Sequence, residues 1–303
     1  MSIVPPAPGE PRRPDGPKDP GDAWVIAPDG SKYWGRFGAA GLLAIDPQRG
    51  VLLQHRVGWS HYGGTWGLPG GALHEGEAAV AGAIREAQEE AGVPDAAVRP
   101  RFTHVLDLGY WQYTTVVADV VAPFEPVMGD AESLALEWVA VPEVDGRDLH
   151  PGFAAAWPRL RAVAQVRPVL VVDAANVVGS VPDGWWKDRA GAAQRLRDEL
   201  VGLRVSDATG EPWALATAWF PHVCLVVEGQ ARSVIGGADV EVVAANGSGD
   251  DEVVEQARRV VAAGSDAVVV TSDRGLAARA AEVGAAVVSA GWLRRQLGDA
   301  ATT

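Results

Sequence analysis

Hydrophobic and polar positions in the first half of the chain predict strands followed by one amphipathic helix. Apolar stretches at residues 39–45 and 51–55 flank a polar turn and predict a hairpin. A helix over residues 78–91 is predicted because Val80, Ile84, Ala87 and Ala91 recur at helical spacing. Further strands and a closing helix are predicted at residues 102–108, 111–121, 136–141 and 153–163.

The second half has a different pattern, in which short apolar strands alternate with helices. Strands are predicted at residues 169–172, 223–227, 240–244, 267–270 and 286–288. Helices are predicted at residues 189–202, 251–263, 276–283 and 292–297. This alternation predicts a parallel sheet covered by helices on both faces. Residues 206–220 do not follow it and are interpreted as an insertion.

Composition divides the chain into three parts. Residues 1–22 contain seven prolines and few large apolar side chains, so we expect a disordered tail. The pattern changes near Val166, which predicts one α/β domain over residues 23–166 and a second over residues 167–303. With 303 residues, each half is long enough to bury its own core.

Charge and cysteine content exclude several classes of protein. The net charge is −13 and both halves are acidic, which disfavours binding to nucleic-acid phosphates unless a metal ion bridges the partners. Cys224 is the only cysteine, so a disulfide framework and a cysteine-rich zinc site are excluded, and we expect it to be buried. Without an apolar segment long enough to span a membrane or a secretory signal, we expect a cytoplasmic protein with no membrane partner.

Three glutamates of the predicted helix suggest a metal site. Glu86, Glu89 and Glu90 share the side opposite the apolar stripe, at spacings that bring side chains together. Such clustered carboxylates repel one another, and hard oxygen ligands of this kind bind Mg²⁺ or Mn²⁺. The alternative is a solvated acidic helix face.

The residues around these glutamates resemble the signature of the Nudix hydrolases. The match consists of Gly71, Glu77, Arg85, Glu86, Ala87, Glu89, Glu90, Gly92 and Val93, each at the family's spacing. The resemblance implies a mixed sheet between helices and hydrolysis of a nucleoside diphosphate linked to another moiety. It further implies a metal held by the Gly71 carbonyl with Glu86, Glu89 and Glu90, where Glu86 serves as ligand or base. Arg85 and Glu77 resemble the family's structural ion pair, and Glu132 is a candidate for one further carboxylate ligand, with a surface role as the alternative.

Aromatic residues near this motif are candidates for stacking a nucleobase. They are Trp66, Tyr110, Trp111 and Tyr113. An aromatic side chain in a half-buried strand can equally belong to the core, so both interpretations stay open.

Acidic residues also follow the predicted strands of the second half. Asp173 and Asp273 each come directly after an apolar strand, and Asp250 and Asp251 open a helix. Ligands of parallel sheets collect at the carboxyl ends of strands, where converging carboxylates can form a metal site. Helix capping is the local alternative for each residue.

The second half resembles the NYN branch of the PIN-like nucleases. The resemblance rests on the segments 172–179, 249–254, 270–273 and 284–287. It implies a metal-dependent ribonuclease site with Asp173, Asn176, Asp250 and Asp273 as ligands, and Asp251 competes with Asp250. Trp185 and Trp186, in the loop 183–189, could stack bases of single-stranded RNA, although packing is an equal alternative.

The sequence therefore predicts a two-domain metal enzyme, a Nudix-like pyrophosphohydrolase joined to a PIN-like ribonuclease domain. Two alternatives stay open. In the first, the second domain is a non-catalytic binding or dimerisation module. In the second, the protein binds a nucleotide as a sensor without turnover, which the intact set of Glu86, Glu89 and Glu90 disfavours.

Overall fold

The structure is a computed structural model that describes residues 1–11, 16–182, 184–206, 210 and 212–300. The chain divides into two compact units, Met1–Ala164 and Gln165–Thr303. Each unit is described by itself below.

Among its described residues, unit 1 contains ten strands and two α-helices. The strands are β1 (Ser2–Val4), β2 (Trp24–Ile26), β3 (Lys32–Trp34), β4 (Ala39–Asp46), β5 (Gly50–Arg56), β6 (Trp66–Gly67), β7 (Gly70–Ala72), β8 (Val98–Asp107), β9 (Gln112–Val120) and β10 (Ser133–Val139). The helices are α1 (Ala79–Ala91) and α2 (Pro151–Val163). The predicted hairpin, strands and helices of this half are therefore present.

The main sheet of unit 1 is mixed, as expected. Its strands follow the order β10-β5-β4-β9-β8, with β6 paired to β5 and β7 to β4. Strand β4 runs parallel to β9 and antiparallel to β5. Helix α1 buries Ala83, Ala87 and Ala91 against Leu42 and other residues of the sheet. Since β4 is buried along nearly its whole length, both faces of the sheet are covered.

The expectation of a disordered tail over residues 1–22 needs correction. Ser2–Val4 form β1, which pairs antiparallel with β2, and β2 pairs with β3 to complete a small three-stranded sheet. The Trp24 indole donates a hydrogen bond of 2.9 Å to Glu10, and Lys18 N–H donates one of 2.8 Å to Asp22. These backbone and side-chain hydrogen bonds order the segment without a large apolar core. They could not be predicted from the composition, because the many prolines are typical of disordered segments. Residues 12–15 lie outside the described residues.

In the part of unit 2 that the structure describes there are seven strands and five α-helices. The strands are β11 (Pro168–Asp173), β12 (Val205–Ser206), β13 (Ala218–Trp219), β14 (His222–Val227), β15 (Val240–Ala244), β16 (Asp266–Val270) and β17 (Ala286–Val288). The helices are α3 (Ala174–Gly179), α4 (Arg189–Glu199), α5 (Gly249–Ala262), α6 (Arg274–Glu282) and α7 (Ala290–Ala300).

The predicted parallel sheet is confirmed in unit 2. Its order is β15-β14-β11-β16-β17, and every neighbouring pair is parallel. Helices α5 and α6 cover one face, where Val171, Cys224 and Val269 are buried. Cys224 is a free buried thiol, as expected, and burial raises its pKa to about 12.

The segment interpreted as an insertion interrupts the alternation of strands and helices. Strands β12 and β13 pair antiparallel, and Trp213 is buried beside Trp219 and Trp292. Residues 207–209 and 211 of this segment lie outside the described residues. In the part of the chain that the structure describes, no helix is both long and apolar enough to cross a membrane.

Candidate functional site

The loop before α1 and the helix itself meet at Gly71 and Glu86. A methyl group at residue 71 would lie 2.5 Å from Glu86 Oε2 and 2.6 Å from its carboxyl carbon. A side chain at residue 71 would therefore displace the Glu86 carboxylate, which occupies the space that the side chain would fill. The Glu86 side chain is 14% exposed.

Glu90 is buried, whereas the helical pattern places it on an exposed face. It is only 3% exposed, and its Oε2 accepts hydrogen bonds from Gly70 N–H at 2.8 Å and from Gln54 Nε2 at 3.2 Å. These bonds offset the cost of burying a carboxylate. The expectation that all three glutamates share an exposed face is therefore corrected for Glu90.

Arg85 fixes the start of the loop–helix segment. Its guanidinium donates to both oxygens of Glu77, with Nε–Oε1 at 2.8 Å and Nη2–Oε2 at 2.9 Å, and also to the carbonyl of Ala72. Nη1 donates to Glu86 Oε1 at 2.8 Å. The hydrogen bond from Arg85 holds the pKa of Glu77 below its usual range. Arg85 thus connects the loop to the carboxylate that faces Gly71.

Glu89 and Glu132 occupy different positions relative to this centre. The Glu89 side chain is 61% exposed and lies 3.6 Å from Arg85 Nη1. Glu132 precedes Ser133, whose hydroxyl accepts a hydrogen bond of 2.8 Å from the same Gln54 amide that contacts Glu90. The fold therefore brings the start of β10 close to Glu90, and a ligand role for Glu132 stays a prediction.

The donor chemistry of this centre fits a hard divalent cation. The carboxylates of Glu86 and Glu90 meet at Gly70 and Gly71, and carboxylate and carbonyl oxygens are the ligands that Mg²⁺ and Mn²⁺ prefer. Among the described residues, no three His, Cys, Asp or Glu side chains already stand close enough to hold a metal ion. Glu86 and Glu90 are instead engaged by Arg85, Gly70 and Gln54.

A cavity of about 450 Å³ opens beside Gly70 and Gly71. This volume is within the usual range for small-molecule sites. The lining includes Tyr33, Arg56, Leu68, His104, Leu106, Trp111, Tyr113, Thr115 and His150. The carboxylate centre and the cavity therefore belong to one site.

Tyr113 connects the cavity to the carboxylates. Its hydroxyl lies against Gly41, where a side chain would collide with it. Burial raises the pKa of Tyr113 to about 12, and the charges of Glu90 and Glu86 add to the effect. The phenol therefore remains protonated near these carboxylates at neutral pH.

The aromatic residues proposed for base stacking have different environments. Trp66 is 8% exposed, the His55 ring stacks on it at 4.7 Å and 9°, and Arg147 lies over it at 4.7 Å. Little of its surface is left for a base, so the structure gives Trp66 a packing role. Trp111 and Tyr113 line the cavity. Tyr110 does not line it, although its ring contacts that of Tyr33, which does. Sequence reasoning overlooked Tyr33, which lies in a strand of only three residues.

His150 adds a neutral imidazole to the cavity. Its Nδ1 accepts a hydrogen bond of 3.2 Å from Gly152 N–H at the start of α2. Burial, together with the charges of the nearby Arg56 and His61, lowers the pKa of His150 to about 4. Sequence reasoning also missed His150 and Arg56. The only local signal for His150 was its position as a polar residue before Pro151 at a helix start.

In unit 2, Asp173 lies at the carboxyl end of the central strand β11. Its carboxylate accepts hydrogen bonds of 3.1 Å from Asn176 N–H and 3.1 Å from the Thr271 hydroxyl. Asn176 Oδ1 accepts from Ser272 N–H at 2.8 Å. The bonds to Thr271 and Ser272 connect the ends of the neighbouring strands β11 and β16, as the parallel sheet predicts. The bond from Asn176 N–H caps α3, which is the local alternative for Asp173.

Two further carboxylates act on Asp173. Burial, together with the charges of Asp250 and Glu228, raises the pKa of Asp173. Glu228 directly follows β14, and its Oε2 accepts a hydrogen bond of 2.8 Å from Gly249 N–H. Sequence reasoning missed Glu228, although it follows an apolar strand just as Asp173 does.

Asp250 and Asp251 have different electrostatic partners. Asp251 pairs with Arg279 at 2.5 Å, whereas Asp250 is the one whose charge acts on Asp173. Asp273 Oδ1 accepts a hydrogen bond of 2.8 Å from Leu276 N–H and caps α6. The observed contact of Asp273 is therefore that of a helix cap. The ligand role of Asp250 stays a prediction.

The two adjacent tryptophans of unit 2 differ in exposure. Trp186 is 56% exposed, while Trp185 lies under the Arg189 guanidinium at 5.4 Å and edge-on to Trp186. The structure therefore gives Trp185 a packing contact and leaves Trp186 accessible. Asp183, in the same loop, lies outside the described residues.

Comparison with known proteins identifies relatives of this chain. A model of the NUDIX domain matches residues 35–161. The chain is 46% identical over 183 residues to the protein named "Putative 8-oxo-dGTP diphosphatase 3" from Mycobacterium tuberculosis, covering 57% of this chain and 82% of that relative. It is 41% identical over 151 residues to a "Nucleoside triphosphate pyrophosphatase/Nudix hydrolase fusion protein" from Bifidobacterium longum, covering 47% of this chain and 31% of the relative.

A solved structure is also similar to this chain. The Nudix hydrolase RenU from M. smegmatis is 47% identical, with coverage of 48% of this chain and 95% of that chain and a TM-score of 0.44. The domain match lies within unit 1 and includes α1, Gly71 and the three glutamates. With most of a relative's length aligned at 46% identity, the chain belongs to the Nudix hydrolase family.

Proposed function

We propose that unit 1 hydrolyses the pyrophosphate linkage of nucleoside diphosphate derivatives with Mg²⁺ or Mn²⁺. The observation that carries the proposal is the position of the Glu86 carboxylate against Gly71, which lines the cavity, with the Glu90 carboxylate bound to the N–H of the neighbouring Gly70. The printed name of the M. tuberculosis relative makes 8-oxo-dGTP the first compound to test.

The residues of the chain have separate tasks in this reaction. A bound cation would neutralise the pyrophosphate oxygens and lower the pKa of a water molecule. Glu86, Glu89 and Glu90, with the Gly71 carbonyl, are the groups that would hold it. Arg85 fixes the Glu86 carboxylate, while Gly70 N–H and Gln54 fix Glu90. The cavity holds the rest of the substrate, and Arg56, whose Nε donates to the His61 carbonyl at 3.3 Å, is part of its lining.

Hydrolysis by the full chain tests the proposal. The substrates are 8-oxo-dGTP, dGTP and ADP-ribose, each with Mg²⁺, with Mn²⁺ and with EDTA. Glu89→Gln and Glu90→Gln should each reduce kcat about 100-fold or more, since each removes a charged oxygen donor. Glu75→Gln is the matched control, because Glu75 is exposed on the same loop and occupies a position that the family motif leaves unspecified. Wild-type activity of Glu89→Gln would contradict the assignment.

A second activity is proposed for unit 2, metal-dependent cleavage of single-stranded RNA. It is supported by the environment of Asp173 at the carboxyl edge of the parallel sheet, where burial and the charges of Asp250 and Glu228 raise the pKa of its carboxyl group. Two carboxylates that raise the pKa of a third are typical of functional sites. The competing interpretation is a non-catalytic binding or dimerisation module.

RNA cleavage by wild type and Asp173→Asn separates the two interpretations. A mixed single-stranded RNA pool is incubated with Mg²⁺, with Mn²⁺ and with EDTA. Asp198→Asn on the exposed surface of α4 serves as the control. Cleavage by wild type and by the control, but not by Asp173→Asn, supports a nuclease. Absence of cleavage by all three favours the binding module.

A further inference from the structure

One wall of the cavity in unit 1 comes from residues that precede the family domain. Ser31, Lys32, Tyr33 and Trp34 line the cavity, whereas the domain match begins at residue 35. They belong to the end of the hairpin formed by β2 and β3. The hairpin therefore contributes to a site whose carboxylates lie elsewhere in the chain.

Tyr33 and Trp111 form an ordered aromatic surface on this wall. Their ring centroids are 4.7 Å apart with an angle of 31° between the planes. The Trp111 indole N–H donates to the carbonyls of Trp34 and Gly35, at 3.2 and 3.1 Å. The indole is thus fixed to the end of β3, and Tyr33 packs on it before any ligand arrives.

The groups beside this surface suit the edge of a heterocycle. His104 and Thr115 line the same cavity and offer an imidazole and a hydroxyl as hydrogen-bond partners. Leu106, 46% exposed, adds apolar surface. The carboxylate centre at Gly70 and Gly71 also borders this cavity, so one ligand can place a flat ring at one wall and its phosphates at the other.

We infer that Tyr33, supported by Trp111, is the platform on which the nucleobase of the substrate stacks, and that the hairpin of β2 and β3 determines which base is accepted. This inference rests on the proposed nucleotide hydrolysis by unit 1. Tyr33 is a binding residue in this assignment and takes no part in breaking the pyrophosphate bond.

Calorimetric binding of product-like probes tests the platform separately from catalysis. The full chain is titrated in EDTA with dGMP and with 2-deoxyribose 5-phosphate, which lacks the base. Tyr33→Leu should weaken dGMP binding about tenfold, since it removes a stacking ring. The affinity for 2-deoxyribose 5-phosphate should be the same in both proteins. Tyr33→Phe keeps the ring and should restore most of the dGMP affinity.

Tyr110→Leu is the matched control, because Tyr110 contacts Tyr33 but does not line the cavity. It should change dGMP affinity less than twofold. If Tyr110→Leu and Tyr33→Leu weaken binding equally, the effect comes from packing of the hairpin and the inference is wrong. Failure of wild type to bind dGMP would also overturn it.

Steady-state kinetics distinguishes this inference from the proposed function. With a nucleotide that wild type hydrolyses, Tyr33→Leu should raise KM about tenfold and leave kcat within twofold. A fall in kcat at unchanged KM would overturn the platform while leaving the hydrolase assignment intact. If wild type binds dGMP and hydrolyses no nucleotide, the proposed function fails and the base site stands.

Discussion

The Glu86 carboxylate lies over the Cα of Gly71, in the space that any side chain at residue 71 would occupy. The contact joins the loop that ends at β7 to the helix that carries the family's glutamates. Because the end of a glutamate side chain can move at low cost, the contact constrains the site more than it constrains the fold.

Gly71→Ala should separate activity from stability. The new methyl group would displace the Glu86 carboxylate, so we expect nucleotide hydrolysis to fall at least tenfold. The free energy of unfolding should change by less than about 1 kcal/mol, because a side-chain terminus absorbs the collision. Gly58→Ala is the control, since that position has open space and an ordinary backbone conformation. A variant as active as wild type would contradict the arrangement.

The ion pair of Arg85 and Glu77 should stabilise unit 1 in a pH-dependent way. We expect Glu77→Gln to lower the free energy of unfolding by about 2 kcal/mol at pH 7, because both side chains are largely buried and bidentate. The folded-state pKa of Glu77 is depressed, so its contribution is present above the usual glutamate pKa and is lost as the pH falls through the lowered value. Urea denaturation should show the difference between the two proteins shrinking as the pH falls below the usual glutamate pKa of about 4.3. A difference that does not depend on pH would argue against the pair.

His150 should stay uncharged through the physiological range. Its pKa of about 4 lies below the usual histidine value near 6.5, so the unfolded chain binds the proton more tightly. This residue therefore makes stability rise with pH between about 4 and 6.5. NMR titration of the imidazole measures the midpoint directly. His150→Asn retains an acceptor for Gly152 N–H and should remove this part of the pH dependence. A midpoint near 6.5 in wild type would refute the assignment.

Asp173→Asn should stabilise unit 2. The folded-state pKa of Asp173 is raised by burial and by Asp250 and Glu228, so the ionised form opposes folding at neutral pH. The native state binds more protons between the unfolded and folded pKa values, and wild-type stability falls as the pH rises through that window. We expect a gain of roughly 1 kcal/mol at pH 7 that vanishes below about pH 4. Thermal denaturation at both pH values measures it, and a destabilised variant at pH 7 would contradict the charge repulsion.

Periodicity and apolar strands were sufficient to predict α1 and the parallel sheet of unit 2. These elements follow from local patterns, because the spacing of apolar residues within one segment is sufficient to indicate which side chains of a helix or strand are buried. Burial of Glu90 was not predictable in this way. It depends on Gln54 and Gly70, which meet the helix only through the pairing of β4 with β5 and β7.

The residues of the candidate sites were likewise predictable only where the signal lies within one continuous segment. The family motif marked Gly71 and the glutamates, because their spacing lies within one continuous segment. Tyr33 and Glu228 were missed, since their partners Trp111 and Asp173 are distant in sequence. For Glu228, a systematic check of the residue after each apolar strand would have found it. Tyr33 had no comparable local signal.

The hairpin that lines the cavity and the helix that carries the glutamates are encoded in separate stretches of the chain. A change confined to residues 31–34 leaves Gly71, Arg85 and the three glutamates untouched. Substrate preference and bond-breaking chemistry can therefore diverge independently, by drift or by directed mutagenesis. With Tyr33 as the base platform, exchanging this short hairpin between related hydrolases would change the base preference and leave the residues of the family motif as they are.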